Sequence, residues 1–448
     1  MAKTVKQSIQ LSDHFTYSRL LRFTAPSVVM LVFCSLYGVV DGFFVSNFVG
    51  KTAFTAVNFI MPFLMMMGAI GFLFGTGGGA LIAKTMGEGD NEMAKRQFSL
   101  VVYVSLGMGV LLAVLGLIFL EPCAALLGAE GELLEYSVRY GRIILLSLPA
   151  YVLQYEFQCL FASAQKPKLG LYVTVAAGLT NMVLDALFVA VFSWGVEGAA
   201  AATALSQCVG GLLPLVYFAR PNTSLLRLTR TKWMGRVLLQ VCTNGSSELL
   251  SNISMSIVSM LYNAQLLYYA GEDGVASYGV LMYVNLVFQS IFIGYSVGSS
   301  PIVSFHYGAG NHTELRGLLR KSVLVISVSA VLMFCTAQIS ARSLSAVFVG
   351  YDETLFELTL HAFSIYAFSF LFSGFAVYGS AFFTALNDGP TSALISFLRT
   401  LVFQIVAVLL FPLFWGVDGI WLSIVAAEMM AVAVAAGLLA LKRKKYGY

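Results

Sequence analysis

Twelve long apolar runs dominate this chain of 448 residues and limit what it can fold into. Each run has roughly 20 residues or more, the length that an α-helix needs to cross a bilayer. Their approximate limits are 23–46, 54–83, 98–120, 136–162, 169–192, 196–219, 237–269, 275–306, 320–340, 355–385, 391–414 and 418–441. Because the apolar residues are continuous rather than alternating with polar ones, a membrane β-barrel is excluded. We therefore predict an all-α integral membrane protein with twelve transmembrane helices, numbered here as spans 1 to 12.

The composition excludes the main classes of soluble protein. Only 11% of the residues are charged, against about 25% in a typical soluble domain, and the mean hydropathy is +0.84. A soluble enzyme, a nucleic-acid-binding protein and a disordered chain would all need far more polar surface. The lipid bilayer is thus the expected environment, and we expect no nucleic acid and no obligatory protein partner.

The basic residues predict the orientation of the spans. Of the 26 Lys and Arg residues, 21 fall in the two termini and in loops that lie on the same side as the termini. Loops rich in Lys and Arg stay in the cytoplasm. We therefore predict a multi-pass protein of a bacterial plasma (inner) membrane, with both termini in the cytoplasm.

An internal repeat is visible in the sequence at a constant offset. The motif WGVEG at Trp194–Gly198 recurs as WGVDG at Trp415–Gly419, and Gly87–Asp90 pairs with Gly308–Asn311 at the same offset. In both pairs the residue numbers differ by 221. Agreement on one offset close to half the length indicates that the chain contains two copies of a six-helix unit.

The repeat predicts the domain organisation. Residues 1–222 would form a first six-helix lobe and residues 237–448 a second, joined by a cytoplasmic loop at residues 223–236. Because six is an even number, both copies enter the membrane in the same direction. The lobes would then be related by a parallel pseudo-two-fold axis along the membrane normal, an arrangement that some secondary transporters use for alternating access.

Polar side chains within the first lobe predict a cation site. Asp41 in span 1, Asn181 and Asp185 in span 5, and Thr203 in span 6 fall at similar depths, nearer the outer side. A carboxylate inside the bilayer is costly and marks a functional hypothesis. Their oxygens could coordinate Na⁺, or two close carboxylates could share a proton. A buried polar network that only fixes helix packing is the alternative. No metal is predicted apart from Na⁺ at Asp41 and Asp185.

Five further polar residues are candidates for a substrate site or for a polar site in the second lobe. Tyr37 lies one helical turn before Asp41, and Glu156 and Glu428 are acids that would attract cationic substrates if they lined a cavity. Glu248 and Asn252 belong to a polar cluster in span 7.

In these features the chain resembles the multidrug and toxic compound extrusion (MATE) transporters of bacteria. The resemblance depends on the stretch Val39–Val45 around Asp41, on the paired Gly-rich turns and Trp-Gly motifs, and on the basic loop between two six-helix lobes. It implies export of amphipathic, often cationic drugs, driven by entry of H⁺ or Na⁺. It also implies that Asp41, Asn181, Asp185 and Thr203 form the cation site of the first lobe, and that no cofactor is needed besides the coupling ion.

Two other kinds of function compete with a transporter of drugs. A flippase for lipid-linked precursors, from the same broad superfamily, would need many Arg and Lys residues in its cavity, and the spans contain few. A membrane enzyme would need a nucleophile or metal beside a catalytic acid or base, and no such grouping stands out in the sequence. We therefore expect a transporter and not an enzyme.

Overall fold

The computed structural model describes residues 9–126, 128–350 and 352–448, without the side chains of Ser46 and Lys51. Residues 1–8, which belong to the predicted first lobe, lie outside the described residues. Within these ranges eleven helices are long and apolar enough to cross a membrane: Tyr17–Val49, Thr52–Gly87, Asn91–Leu126, Gly131–Ser163, Pro167–Val191, Gly195–Ala219, Gly235–Gly308, His312–Val349, Glu353–Ala385, Gly389–Leu410 and Pro412–Tyr446. The predicted all-α membrane fold is confirmed.

The seventh of these helices contains two spans. It has 74 residues, so a straight helix would be about 110 Å long, far more than the roughly 30 Å of the hydrocarbon core. Gly271 divides it with φ 66° and ψ −156°, a conformation that is readily accessible only to glycine. Span 7 thus precedes Gly271 and span 8 follows it, which makes twelve spans. Between Ala219 and Gly235 the chain is not helical; the exact lobe boundaries stay a prediction.

The two lobes meet at the side of the bundle that carries the basic loops, called here the basic side. A Cβ on Gly87 of span 2 would overlap the carbonyl oxygen of Phe305 in span 8, and a Cβ on Gly308 would overlap the carbonyl oxygen of Lys84. Gly87 and Gly308 are equivalent positions of the internal repeat, as are Lys84 and Phe305, so the repeat produces the same contact twice. Only glycine lets the two backbones approach this closely.

Deeper in the bundle the same pairing of lobes continues. A Cβ on Gly77 of span 2 would overlap the carbonyl oxygen of Val241 in span 7, and a Cβ on Gly298 of span 8 would lie 3.1 Å from the Cα of Thr24 in span 1. Gly77 and Gly298 are again equivalent positions of the repeat. The lobes therefore touch through spans 1, 2, 7 and 8 around the pseudo-two-fold axis.

The glycine contacts give a first prediction. Gly87→Ala adds a methyl group where it overlaps backbone, and such overpacking costs about 1–3 kcal/mol. We expect this substitution to separate the lobes at the basic side. The distance between spin labels attached to Lys168→Cys and Lys444→Cys, two exposed positions in different lobes, measures the separation in a protein whose native cysteines are replaced.

Gly107→Ala in span 3 is the matched control, because a Cβ at Gly107 would meet nothing within 4 Å. The label distances should be longer for Gly87→Ala than for Gly107→Ala. Equal distances in the two variants would contradict the packing argument.

Candidate functional site

A hydrogen-bonded group of polar side chains joins three spans of the first lobe. The Thr203 hydroxyl donates to Oδ1 of Asp41 at 3.2 Å, and the Asn181 amide nitrogen lies 3.5 Å from the same oxygen and 3.4 Å from the Thr203 hydroxyl. Spans 1, 5 and 6 supply one residue each. Since Asp41 is only half-buried, a cation or water molecule can reach the group from the side of Asp41.

Asp185 completes this group from the buried side. It follows Asn181 by one helical turn, lies beside Asp41 and is fully buried. Both Asp185 carboxylate oxygens and Oδ1 of Asn181 have no hydrogen-bond partner among the described residues. Buried polar atoms normally have a partner, so three unpaired oxygens next to a second carboxylate make this group the candidate cation site. Carboxylate, amide and hydroxyl oxygens suit Na⁺, and a proton shared by the two carboxyl groups suits them equally.

Tyr140 is a member of this site that sequence reasoning missed. It is fully buried in span 4, and its hydroxyl lies close to Asp41, Asp185 and Thr203. The Tyr140 hydroxyl makes no hydrogen bond to any described residue. A tyrosine in an apolar run has no distinctive sequence signal, because its ring alone explains its place in a helix.

The helices that carry the two carboxylates widen next to the site. A π-helical segment at Val45–Val49 follows Asp41 by one turn, and another at Ala186–Val191 begins directly after Asp185. Short π-helical segments inside α-helices are rare and frequent at functional sites. Here both interrupt the regular hydrogen bonding on the outer side of the polar group.

The other two first-lobe candidates lie outside this group. Tyr37 packs against Phe33 in span 1, with ring centroids 6.0 Å apart, and lies close to Gln154 of span 4. Glu156 is fully buried, and one of its carboxylate oxygens accepts a hydrogen bond from Ser105 of span 3. Neither side chain contacts the Asp41 group through a hydrogen bond in the described structure.

In the second lobe the candidate acids are arranged differently. Glu428 of span 12 forms an ion pair with Arg399, whose Nε lies 3.1 and 2.9 Å from the two carboxylate oxygens. Arg399 itself lies in a π-helical segment, Leu398–Val402. Glu248 is half-buried and near Arg399, and the Asn252 amide donates to the backbone carbonyl of Glu248 at 2.8 Å.

The second-lobe counterpart of the Asp41 group consists of neutral residues. Tyr262 is the position equivalent to Asp41 in the repeat. Spans 5 and 11 both open with a proline, and the number of residues from this proline to Asn181 in span 5 equals the number from it to Gln404 in span 11. The Tyr262 hydroxyl donates to Oε1 of Gln404 at 2.7 Å and lies 2.9 Å from the Ser423 hydroxyl. The repeat thus preserves a polar contact between spans 7, 11 and 12 but without a carboxylate.

The profile of one protein family, MatE, matches the chain twice, at residues 26–187 and 249–410. The two matches begin in span 1 and in span 7, the first spans of the two lobes. They cover more than two thirds of the chain, and they agree with the repeat seen in the sequence. The predicted organisation into two six-helix lobes is therefore confirmed.

Individual proteins match over nearly their whole length. The multidrug export protein MepA of Staphylococcus haemolyticus is 24% identical over 96% of this chain and 94% of its own, and MepA of Staphylococcus aureus strain MRSA252 is 22% identical over 93% and 92%. A solved structure described as the outward-facing conformation of a multidrug resistance MATE family transporter has a TM-score of 0.93 at 22% identity, and covers 99% of both chains. At this identity the structural likeness establishes the fold.

The Arg399–Glu428 ion pair gives a prediction about stability. The side chains are 17% and 7% exposed, and removing one partner of a buried pair leaves an uncompensated charge that costs about 3–5 kcal/mol. We expect Arg399→Met and Glu428→Gln each to lower the melting temperature of the purified protein clearly. The double variant should lose less than the sum of the single variants.

Arg142→Met is the matched control for that experiment. Arg142 pairs with Glu121, but the two side chains are 59% and 60% exposed, and exposed pairs contribute about 0–1 kcal/mol. A melting temperature that falls equally for Arg142→Met and Arg399→Met would show that burial of the pair is unimportant.

Proposed function

The chain belongs to the MatE family, and from this premise we propose that it is a secondary antiporter. It would export amphipathic, often cationic compounds in exchange for H⁺ or Na⁺. Its relatives named MepA are multidrug export proteins, which supports substrates of this kind. The basic loops support a bacterial inner membrane protein with both termini in the cytoplasm.

The observation that carries the proposal is the set of unpaired buried oxygens on Asp185 and Asn181 beside Asp41. The carboxylates of Asp41 and Asp185 repel each other when both are ionised, and the bilayer provides little water to solvate them. A proton or Na⁺ relieves both costs. The site would therefore bind a cation while it faces the outside and release it to the cytoplasm once the lobes have rearranged.

Export follows if the substrate and the cation favour opposite conformations. A ligand shifts a conformational equilibrium only by its difference in affinity for the two states. The cation stabilises the form in which Asp41, Asn181 and Thr203 lie close together. A cationic substrate in the cavity between the lobes favours the form in which the carboxylates are free of the coupling ion, so the two are exchanged across the membrane.

The arginines of the spans argue against the flippase alternative. Arg139 pairs with Glu135 and Glu197, Arg142 with Glu121, and Arg399 with Glu428. Each guanidinium is already engaged by a carboxylate. A site for a pyrophosphate-linked lipid would need such cations to be available to the ligand.

Loss of either carboxylate should abolish coupling. Asp41→Asn and Asp185→Asn each remove a charged ligand, an interaction worth about 1.5–3 kcal/mol, so we expect at least a roughly tenfold fall in gradient-driven transport. The measurement is ethidium efflux from proteoliposomes, first under an imposed pH gradient and then under an imposed Na⁺ gradient. The gradient that drives efflux in the unaltered protein identifies the coupling ion.

Asp273→Asn is the control, because Asp273 is exposed next to the turn between spans 7 and 8. It should transport as well as the unaltered protein. Full gradient-driven efflux by both Asp41→Asn and Asp185→Asn would overturn the site. Absence of efflux under either gradient by the folded, unaltered protein would overturn the antiport of drugs itself.

A further inference from the structure

A short segment in front of span 1 packs against the opposite lobe. Two of its apolar side chains, Leu11 and Phe15, are fully buried. The ring of Phe15 makes edge contacts with Phe23 of span 1, at 6.0 Å between centroids, and with His306 of span 8, at 6.3 Å. Phe15 therefore fills the seam between the first and second lobes at the basic side.

Both backbone polar groups of Phe15 bind side chains of span 9. Its N–H donates to Oε1 of Glu314 at 2.9 Å, and its carbonyl accepts a hydrogen bond from Nζ of Lys321 at 2.6 Å. The other carboxylate oxygen of Glu314 lies 2.6 Å from Nδ1 of His14. The Glu314 and Lys321 side chains are only 8% and 17% exposed, and hydrogen bonds shielded from water are stronger than exposed ones.

The attachment of Phe15 to span 9 holds the start of span 1 directly, because no flexible residues separate them. Phe15 directly precedes Thr16, the N-cap of span 1, and the helix begins at Tyr17. The first turn of span 9, which contains Glu314, is thus held next to the start of span 1. Any movement that separates these two helix ends has to break the contacts of Phe15.

The corresponding contact of the first copy lacks charged groups: the N–H of Thr229, in the segment before span 7, donates to the Ser99 hydroxyl of span 3 at 2.8 Å. The position equivalent to Glu314 in the first copy is Met93, which has no carboxylate to accept from a backbone N–H. The nearest acid in the first turn of span 3 is Glu92, and it pairs with Lys95 of its own helix at 2.7 Å. The glycine contacts are symmetric between the lobes, whereas the two charged side chains that bind the backbone of Phe15 belong to span 9.

We propose that Phe15, Glu314 and Lys321 form an inter-lobe clamp that holds the basic side closed and must break each time this side opens. The inference rests on the alternating access of the proposed function. Glu314 and Lys321 are then positioning residues, because they act on the balance between two conformations without touching substrate or ion. Their removal would favour the conformation that is open at the basic side.

The test measures the conformational balance directly, in the full-length protein in lipid. Spin labels at Lys168→Cys and Lys444→Cys report the separation of the lobes. Glu314→Ala removes the acceptor of the Phe15 N–H, and Lys321→Met independently removes the donor to its carbonyl. Since a hydrogen bond to a charged group is a strong interaction, we expect each variant to raise the ratio of open to closed forms about tenfold.

Glu92→Gln is the matched control, since Glu92 lies in a first helical turn on the same side but pairs within its own helix. It should leave the distances unchanged. Distances in Glu314→Ala and Lys321→Met equal to those of Glu92→Gln, in protein that remains monodisperse and unfolds cooperatively, would overturn the clamp. Because the readout is a distance, this failure is distinguishable from a failure of ion coupling, which the efflux assay of Asp41→Asn reports.

Discussion

The structure depends on one constraint, that a charged or polar side chain inside a bilayer needs a partner. In the second lobe Glu428 meets this constraint through its ion pair with Arg399. In the first lobe Glu156 meets it through Ser105. Asp185 is the buried carboxylate with neither oxygen paired among the described residues. This environment supports the proposed site, in which the partner of Asp185 is a mobile coupling ion.

The repeat shows how such a site can arise on one side of a symmetric scaffold. Tyr262 is the second-lobe equivalent of Asp41, and its side chain makes a 2.7 Å hydrogen bond to Gln404, which lies two residues beyond the equivalent of Asn181. A phenol and an amide satisfy each other without an ion, whereas a carboxylate facing Asp185 cannot. The backbone contacts through Gly87 and Gly308 are equivalent, so the two lobes share this helix packing and differ in the charges at the Asp41 position.

Much of the fold could be predicted from the sequence, because hydrophobic length, loop charge and an ungapped repeat are properties of the chain itself. The grouping of Asp41, Asn181 and Thr203 could also be anticipated, since depth in the membrane follows from position along each span. The pairing of Arg399 with Glu428 and of Phe15 with Glu314 could not. The partners in each pair belong to different helices or segments, and which side of a span faces which neighbour is decided by packing between helices.

Span 1 connects the cation site with the closed basic side. It carries Asp41 near one end and begins directly after Thr16, next to the clamp residue Phe15. Its α-helix, Tyr17–Phe44, has 28 residues and is therefore about 42 Å long, and helices transmit displacement because their backbone hydrogen bonds resist bending.

Pro26 removes one of these hydrogen bonds within the helix. A change at Asp41 can therefore either tilt span 1 as a whole, which strains the contacts of Phe15, or bend it at Pro26, which spares them. In the proposed mechanism, coupling between the cation site and the clamp requires the first of these movements, because a tilt of span 1 strains the contacts of Phe15 and a bend at Pro26 does not.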